Sequence, residues 1–528
     1  MNNILFYRVN INQKMNVIQK KNKDNFFIFF LIFYPLLIFI FNNLDELFHF
    51  SKLFYLGAFG LILPVAFFCF VLLKTNYNFV FKFNLSLLIS FLWFFQFYFI
   101  DIRSVFSDLN NKIDGYIALI IILLLSALTT FLFKYNFLKK FVLFFLIISL
   151  FISFISNFNF FSVINENKIP DERYKEVTIN NNTNNPNIYY IILDGLTSNK
   201  FLKKKFYFDI DIFSETLKKQ GFIIAENARA SYNITHLTFA SIFYADYFLD
   251  ENSEKCYDRS YFYPSIYSFE KKPPLITYLD KKNYKFILFS AAWAKCKSNY
   301  KINCFFPDGN IISRILDDYA FFTFIFNSMV RSIAVKLNIK FLDQNDTIKV
   351  LKEKLNTDFE IWEDQPVFTF VHAYMPHEPY RYENCTINDN ANKANFQYSL
   401  EDEINFYISS VKCTFSRIDE ITELILSKDK DAIIIFQGDH GTSMFNPILD
   451  LGDISDESIE ERLSIFNAAL LPDKCRDKFN SKIGNVGTVQ LVLSCIGINI
   501  PNIELNKPRN YIGFYEESEN FGKVYRVN

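Results

Sequence analysis

IYYIILDGLTS, Ile188 to Ser198, opens on a run of apolar and aromatic residues and delivers an acid, Asp194, at its end. AIIIFQGDHGTS, Ala432 to Ser443, has the same shape and delivers Asp439 and His440. Both runs are β-branched or aromatic and apolar at nearly every position. That pattern predicts strands buried on both faces, as in a parallel sheet, rather than strands with one wet face. In an open α/β sheet, ligands gather beyond the carboxyl ends of the strands. Two carboxylates and an imidazole delivered there suit a hard or borderline divalent cation.

Further strands are expected at Lys285–Ser290, Val367–Val371 and Ser464–Leu471, and helices at Asp211–Gln220, Leu237–Tyr244, Ile311–Leu337 and Glu401–Leu426. Strands alternating with helices imply an α/β domain, with a mostly parallel sheet flanked by helices on both faces. No internal repeat is evident. Residues 163–186 form a polar tract ending in NNNTNNPN, which reads as a linker ahead of a domain spanning 187–528.

Upstream of that linker the composition changes. Phe contributes 66 residues to the chain, and they are concentrated in the first 162. Five apolar stretches there are long enough, or nearly so, to cross a bilayer: Asn25–Phe41, Leu53–Leu73, Leu85–Ile100, Tyr116–Phe133 and Phe141–Phe158. The third is the shortest. Arg8, Lys14, Lys20, Lys21 and Lys23 precede the first stretch, whereas the next loop carries Asp45 and Glu46 against Lys52. Lys74 and Lys82, then Asp101, Asp108 and Asp114, then Lys134, Lys139 and Lys140 continue the alternation of basic and acidic loops. Residues 1–162 therefore read as a five-helix transmembrane region with its N-terminus inside. A cleavable signal peptide is not expected, because no small-residue cleavage site follows the first stretch.

The net charge of -1 gives no reason to expect a nucleic-acid partner. Of eight cysteines, Cys69 lies in a span and the rest fall on the external side, where disulfides are permitted. Cys296 and Cys304, flanking a short polar loop, are the first expected pair. With no CxxC pair, a zinc finger has no support.

Only five histidines occur, and His372, His377 and His440 fall at or just after predicted strand ends. Scattered core or surface histidines would show no such preference. FTFVHAYMPHEPY, Phe368 to Tyr380, holds His372 and His377 on irregular backbone, free to face a cleft and bind a second metal or hydrogen-bond a substrate oxyanion. For His236 a structural role is the plainer reading. In ARASYNITHLTFASIFYADY, Ala228 to Tyr247, Thr235 falls near a helix start, where exposed amides favour an anion. A hydroxyl there, beside a cation, can attack phosphorus or sulfur. From local sequence alone an N-cap is the better reading of Thr235, and Thr238 and Ser231 compete with it as hydroxyls. Asn233-Ile234-Thr235 also spells an N-glycosylation acceptor.

Asp-Gly after a first strand, Thr in N-x-T-x-L-[ST], a strand leading to H-x-P-[YF] and a strand ending in Asp-His-Gly resemble, in that order, the alkaline phosphatase superfamily. Within it the chain is most similar to the membrane-anchored sulfatase-like proteins: lipoteichoic acid synthases, phosphoglycerol transferases and phosphoethanolamine transferases. The resemblance implies an alkaline-phosphatase/sulfatase-like fold behind the transmembrane helices. It implies that Asp194, Asp439 and His440 bind a divalent metal cation (Mn, Zn or Mg), with Thr235 as both ligand and nucleophile. It also implies that His377, with His372, contacts the transferred group. The chain departs from sulfatases proper, having no C/S-x-P-x-R string and no acid beside Asp194. Lipoteichoic acid synthases typically carry Glu where this chain has Asp194.

The expected activity is transfer of a phosphorylated head group from a membrane phospholipid donor to an extracytoplasmic glycan or lipid acceptor, through a phospho-threonine. The expected site of action is the bacterial inner (cytoplasmic) membrane, with the catalytic domain periplasmic. A phosphate- or sulfate-ester hydrolase using the same residues is the alternative. A non-catalytic membrane protein would be expected to have lost one or more of these ligands, and all are present.

Overall fold

The structure is a computed structural model. It describes residues 25–42, 52–75, 79–99, 113–133, 135–158, 176–247, 272–289, 302–305, 346–363, 365–388, 398–501, 508–514 and 524–527, with isolated positions between them. The chain divides into two compact units. One comprises Met1–Glu166 with Asn310–Phe341, and the other Asn167–Gly309 with Leu342–Asn528.

In the first unit the expected apolar stretches are helical over nearly all of their described residues. Asn25–Asn42, Phe54–Lys74, Val80–Tyr98 and Phe137–Ile155 are long and apolar enough to cross a membrane. The third begins well before Leu85, because the Lys82 amine turns back and donates to the Thr75 carbonyl (2.7 Å), which lets a cation sit in the first turns. The fourth stretch lies in the helix Ile113–Leu132. Large side chains such as Phe67, Leu124 and Phe137 stand exposed on these helices, as side chains facing lipid would.

The predicted helix Ile311–Leu337 falls mostly outside the described residues, and its described positions belong to the first unit. Phe321, Phe324 and Ile325 are buried among Phe27, Phe54 and Phe91. The Phe324 ring lies 5.3 Å from Phe39 and 5.1 Å from Phe97. A segment lying in sequence between two strands of the sheet domain thus packs with the N-terminal helices.

The second unit is built on strands β1 (Thr178–Ile179), β2 (Ile188–Leu193), β3 (Ile223–Ile224), β4 (Lys285–Phe289), β5 (Ile302–Phe305), β6 (Val367–Ala373), β7 (Ile433–Gly438), β8 (Asn467–Leu470), β9 (Ile498–Asn499), β10 (Asn510–Gly513) and β11 (Val524–Val527). Its main helices are α1 (Asp211–Lys219), α2 (Thr235–Tyr244), α3 (Pro274–Asp280), α4 (Thr347–Thr357), α5 (Leu400–Lys428), α6 (Asp456–Leu463) and α7 (Asn485–Cys495). Seven strands form one sheet in the order β3-β8-β7-β2-β6-β4-β5. The run β7-β2-β6-β4-β5 is parallel, while β8 is antiparallel to both β7 and β3. The expected strand Ser464–Leu471 is therefore the one that runs against the rest.

Side chains of β2 point alternately to two cores. Ile188, Tyr190 and Ile192 join α2, α3 and α7 on one face, and Tyr189, Ile191 and Leu193 join α1, α4 and α5 on the other. All six are wholly buried, each contributing roughly 1.5–3 kcal/mol over exposure as an upper estimate. This two-sided burial is why the sequence reads as an unbroken apolar run. On α5, Tyr407, Val411, Phe415, Ile418, Ile421 and Ile425 recur at helical spacing and cover the second face. Disulfides join Cys385 to Cys413 and Cys475 to Cys495. The expected pair Cys296–Cys304 involves Cys296, which lies outside the described residues.

Candidate active site

Register, more than any single residue, assembles the site. β2 and β7 are parallel neighbours with Leu193 level with Gly438, so Asp194 and Asp439 emerge side by side from the same sheet edge. β6 lies on the other side of β2 with Ala373 level with Leu193, which brings His372 and the turn carrying His377 to the same edge.

Gly195 turns the chain with φ +72, a conformation open to glycine at little cost. Its carbonyl accepts a hydrogen bond from the Tyr407 hydroxyl (2.8 Å), and its amide donates to Asp439 Oδ1 (3.0 Å). The His440 amide donates to the same oxygen (2.9 Å). Asp439 Oδ1 is thus held by backbone, while Oδ2 is buried with no hydrogen-bond partner; Asp194 Oδ1 is likewise buried and unpartnered. His440 Nε2 sits 3.7 Å from Asp194 Oδ1 and 3.4 Å from Asp439 Oδ2. One ligand atom from each of Asp194, Asp439 and His440 lies within 4.8 Å of the others.

Two buried carboxylate oxygens that nothing satisfies are costly unless a cation lies between them. The third donor has the right protonation. His440 Nδ1 lies 2.9 Å from the Gly441 carbonyl and must donate to it, which leaves Nε2 as a lone pair facing the carboxylates. Burial, then the nearby Arg462 guanidinium, lowers His440 to about 4, so the ring is neutral at physiological pH. Burial alone would raise Asp194, but the imidazoles of His377, His372 and His440 together hold it below the usual carboxylate range. This donor set fits a divalent cation.

Thr235 is not the cap of its helix. Ile234 occupies that position, and Thr235 is the first residue of α2. Its hydroxyl lies 3.0 Å from His440 Nε2, directed at the same cluster. The competing hydroxyls are committed elsewhere. Thr238 donates to the carbonyls of Tyr232 and Asp439, and Ser231 accepts from the Val486 amide. Asn233 is 1% exposed. Its side-chain amide is bonded in both directions to the Gly513 backbone, which removes it as a glycosylation acceptor.

The two remaining histidines part company. His377 is exposed, and a Cβ built on Gly195 would come within 3.8 Å of its ring and 4.0 Å of His440 Cε1, so both imidazoles flank the open side of the turn. Desolvation would lower His377, but the Asp194 carboxylate, the Glu378 carbonyl and carboxylate and Asp439 together outweigh it, and the net shift is upward. His372 is 0% exposed. Its Nε2 lies 3.2 Å from Asp194 Oδ2, and its ring is packed against Phe239 and Tyr374. It stands behind Asp194 rather than in the opening. His236 is half-buried on the first turn of α2.

Sequence reasoning missed three side chains that shape this region. Arg462, Glu461 and Asn485 are all buried. Glu461 accepts from the Phe445 and Asn446 amides and from the Thr442 hydroxyl, pinning the loop after His440. In sequence, Glu461 and Arg462 read as the solvated face of a short charged helix, and no local signal marks them.

An α/β sheet with carboxylates, imidazole and a buried hydroxyl converging at its carboxyl edge defines a metal-dependent ester-cleaving or ester-transferring enzyme. The sulfatase family model matches residues 186–474, and the chain belongs to that family, within the alkaline phosphatase superfamily. No curated protein matches it by sequence. Among solved structures, the C-terminal periplasmic domain of EcEptC from Escherichia coli, in complex with Zn, is similar with TM-score 0.45 and 10% identity, covering 67% of this chain and 95% of that one. The integral membrane lipooligosaccharide phosphoethanolamine transferase A from Neisseria meningitidis gives TM-score 0.41 and 13% identity over 91% of this chain and 96% of that one. A phosphonate monoester hydrolase from Silicibacter pomeroyi gives 0.39 and 13% over 60% and 74%.

Proposed function

We propose that this chain transfers a phosphorylated head group, of the phosphoglycerol or phosphoethanolamine type, from a membrane phospholipid to a glycan or lipid hydroxyl outside the cytoplasm, with Thr235 as nucleophile. The observation that carries this reading is the Thr235 hydroxyl, 3.0 Å from His440 Nε2 and beside two unpartnered carboxylate oxygens. Asp194, Asp439 and His440 would hold a divalent cation of the Mn, Zn or Mg kind, with Thr235 as a fourth donor. When bound, that cation supplies positive charge against the phosphoryl oxygens and lowers the cost of ionising an alcohol.

The chain's own groups do the rest. Thr235 Oγ forms a bond to phosphorus as the bond to the diacylglycerol oxygen breaks, and the Oγ proton passes to solvent water at the open side of the site. His377, at the open side, is placed to give a proton to the departing oxygen and to take one from the acceptor hydroxyl in the second step. That second step breaks the Thr235–phosphorus bond and restores the hydroxyl. His372, fully buried, holds Asp194 in place and does not touch the group transferred. Four membrane-length helices suit a lipid donor, because tethering raises its effective concentration at the site. We place the protein in the bacterial inner membrane, with the sheet domain of residues 187–309 and 342–528 periplasmic and residues 310–341 grouped with the N-terminal helices.

The test uses the full chain in lipid nanodiscs with a phosphatidylethanolamine or phosphatidylglycerol donor and follows the intact mass of the protein. A head-group phosphate adduct on wild type that is missing from Thr235→Ala supports the reading, with turnover falling at least about 10³-fold. Turnover that persists in Thr235→Ala removes Thr235 as nucleophile. Release of free phosphorylated head group with no transfer to any added acceptor would turn the reading to hydrolysis.

A further inference from the structure

We propose that Arg462 and Asn485 are positioning residues that clamp the segment bearing Thr235 to the loop bearing His440, an inference that rests on the Thr235 reading above. The two segments come from distant parts of the chain; the Thr238 hydroxyl ties them directly at the Asp439 carbonyl (3.2 Å), and two further side chains brace them from outside. Arg462 Nε donates to the Asn233 carbonyl (2.8 Å), two residues before Thr235. Its Nη1 donates to the Gly441 carbonyl (2.9 Å), the same oxygen that receives the Nδ1 proton of His440. One planar guanidinium therefore spans the nucleophile's backbone and the atom that orients the imidazole, a reach that a fork of fixed geometry provides and a lysine amine does not.

Asn485 makes the second bridge. Its Nδ2 donates to the Gly438 carbonyl (3.0 Å) at the end of β7, and its Oδ1 accepts from the Ser231 amide (2.9 Å). The helix that carries Arg462 is itself fastened by backbone to both sides. The Gly441 amide donates to the Arg462 carbonyl and the Ala230 amide to the Leu463 carbonyl, both at 2.7 Å. Neither clamp residue is within the ligand cluster or bonded to Thr235. Asn485 acts through the backbone it joins, and Arg462 does so in addition to the direct effect of its charge on the His440 ring; the shared structural consequence is the 3.0 Å spacing of the Thr235 hydroxyl and His440 Nε2.

The experiment compares wild type, Arg462→Ala, Arg462→Lys and Asn485→Ala as full chains in detergent, with Mn²⁺ and a chromogenic phosphodiester. The clamp predicts that each variant loses about 10–100-fold in kcat with KM changed less than about threefold, and that Mn²⁺ affinity by calorimetry stays within about threefold. Added guanidinium should restore Arg462→Ala by at least about fivefold and leave Asn485→Ala unchanged. Hydrogen exchange gives a readout independent of turnover: amides of residues 228–238 and 438–446 should exchange at least about tenfold faster, with 188–193 unaltered. A kcat within twofold of wild type overturns the clamp. So does a Mn²⁺ affinity that falls in step with kcat without guanidinium rescue, or exchange that rises equally across 188–193. A wild type inactive on every ester would defeat the Thr235 reading, while the exchange data would still decide the clamp.

Discussion

Asp439→Asn separates the electrostatic argument for a cation from any assay of activity. The substitution keeps an oxygen for the Gly195 and His440 amides but replaces the unpartnered Oδ2 with an uncharged amide. With ligand atoms of Asp194 and Asp439 within 4.8 Å, two unit charges repel by about 3 kcal/mol at an effective dielectric of about 20. Weakening two charge-assisted bonds to backbone amides returns about 1–2 kcal/mol of that. In chelator, the variant should therefore be more stable than wild type, by about 1–2 kcal/mol. In metal the order reverses: at about 100 times its Kd, a cation stabilises wild type by about 2.7 kcal/mol, or about 5 °C in Tm, and the variant by far less. Thermal unfolding of the full chain in detergent, followed by intrinsic fluorescence with EDTA, Mn²⁺ or Zn²⁺, reads both signs. A wild type indifferent to metal, together with a variant less stable than wild type in EDTA, would refute the reasoning that these carboxylates are arranged around a cation.

Two other perturbations follow from the same geometry. A Cβ at Gly441 would lie 2.1 Å from the Glu461 carbonyl oxygen and 2.8 Å from that of Ser464, both backbone atoms, so Gly441→Ala must displace the loop. We expect about 2–4 kcal/mol lost in urea unfolding and a drop in Mn²⁺ affinity of at least about tenfold by calorimetry. A chain starting at residue 187 carries Phe321, Phe324 and Ile325 without the helices that bury them. Size-exclusion chromatography should show it aggregating unless residues 310–341 are also removed or detergent is added.

The two strings that announce the site were legible because two-sided burial and a functional terminus leave different marks on one short stretch. An unbroken apolar run demands a central strand, and an acid at its end has no packing reason to be there. His372 shows the limit of that signal. It too lies at a strand end, but β6 continues to Ala373, so the ring is still inside the packed layer and turns to Asp194 rather than outward. The direction of β8 was equally hidden. Its sequence is as apolar as its neighbours', and what reverses it is the short path from α6, whose end is hydrogen-bonded back to residues 228–230 and 441.

Arg462 illustrates why such contacts escape a reading of the sequence. In ESIEERL its charge fits a solvated helix face, yet here it is buried and donates to the carbonyls of Asn233 and Gly441, the first of them 229 residues away. A buried guanidinium is tolerated only where acceptors are already fixed in space, so its placement presupposes the sheet that brings those acceptors together. The ligands could be recognised from the sequence because their chemistry is local. The spacing between Thr235 and His440, on which the chemistry depends, is a property of the tertiary fold, and only residues that join distant segments can hold it.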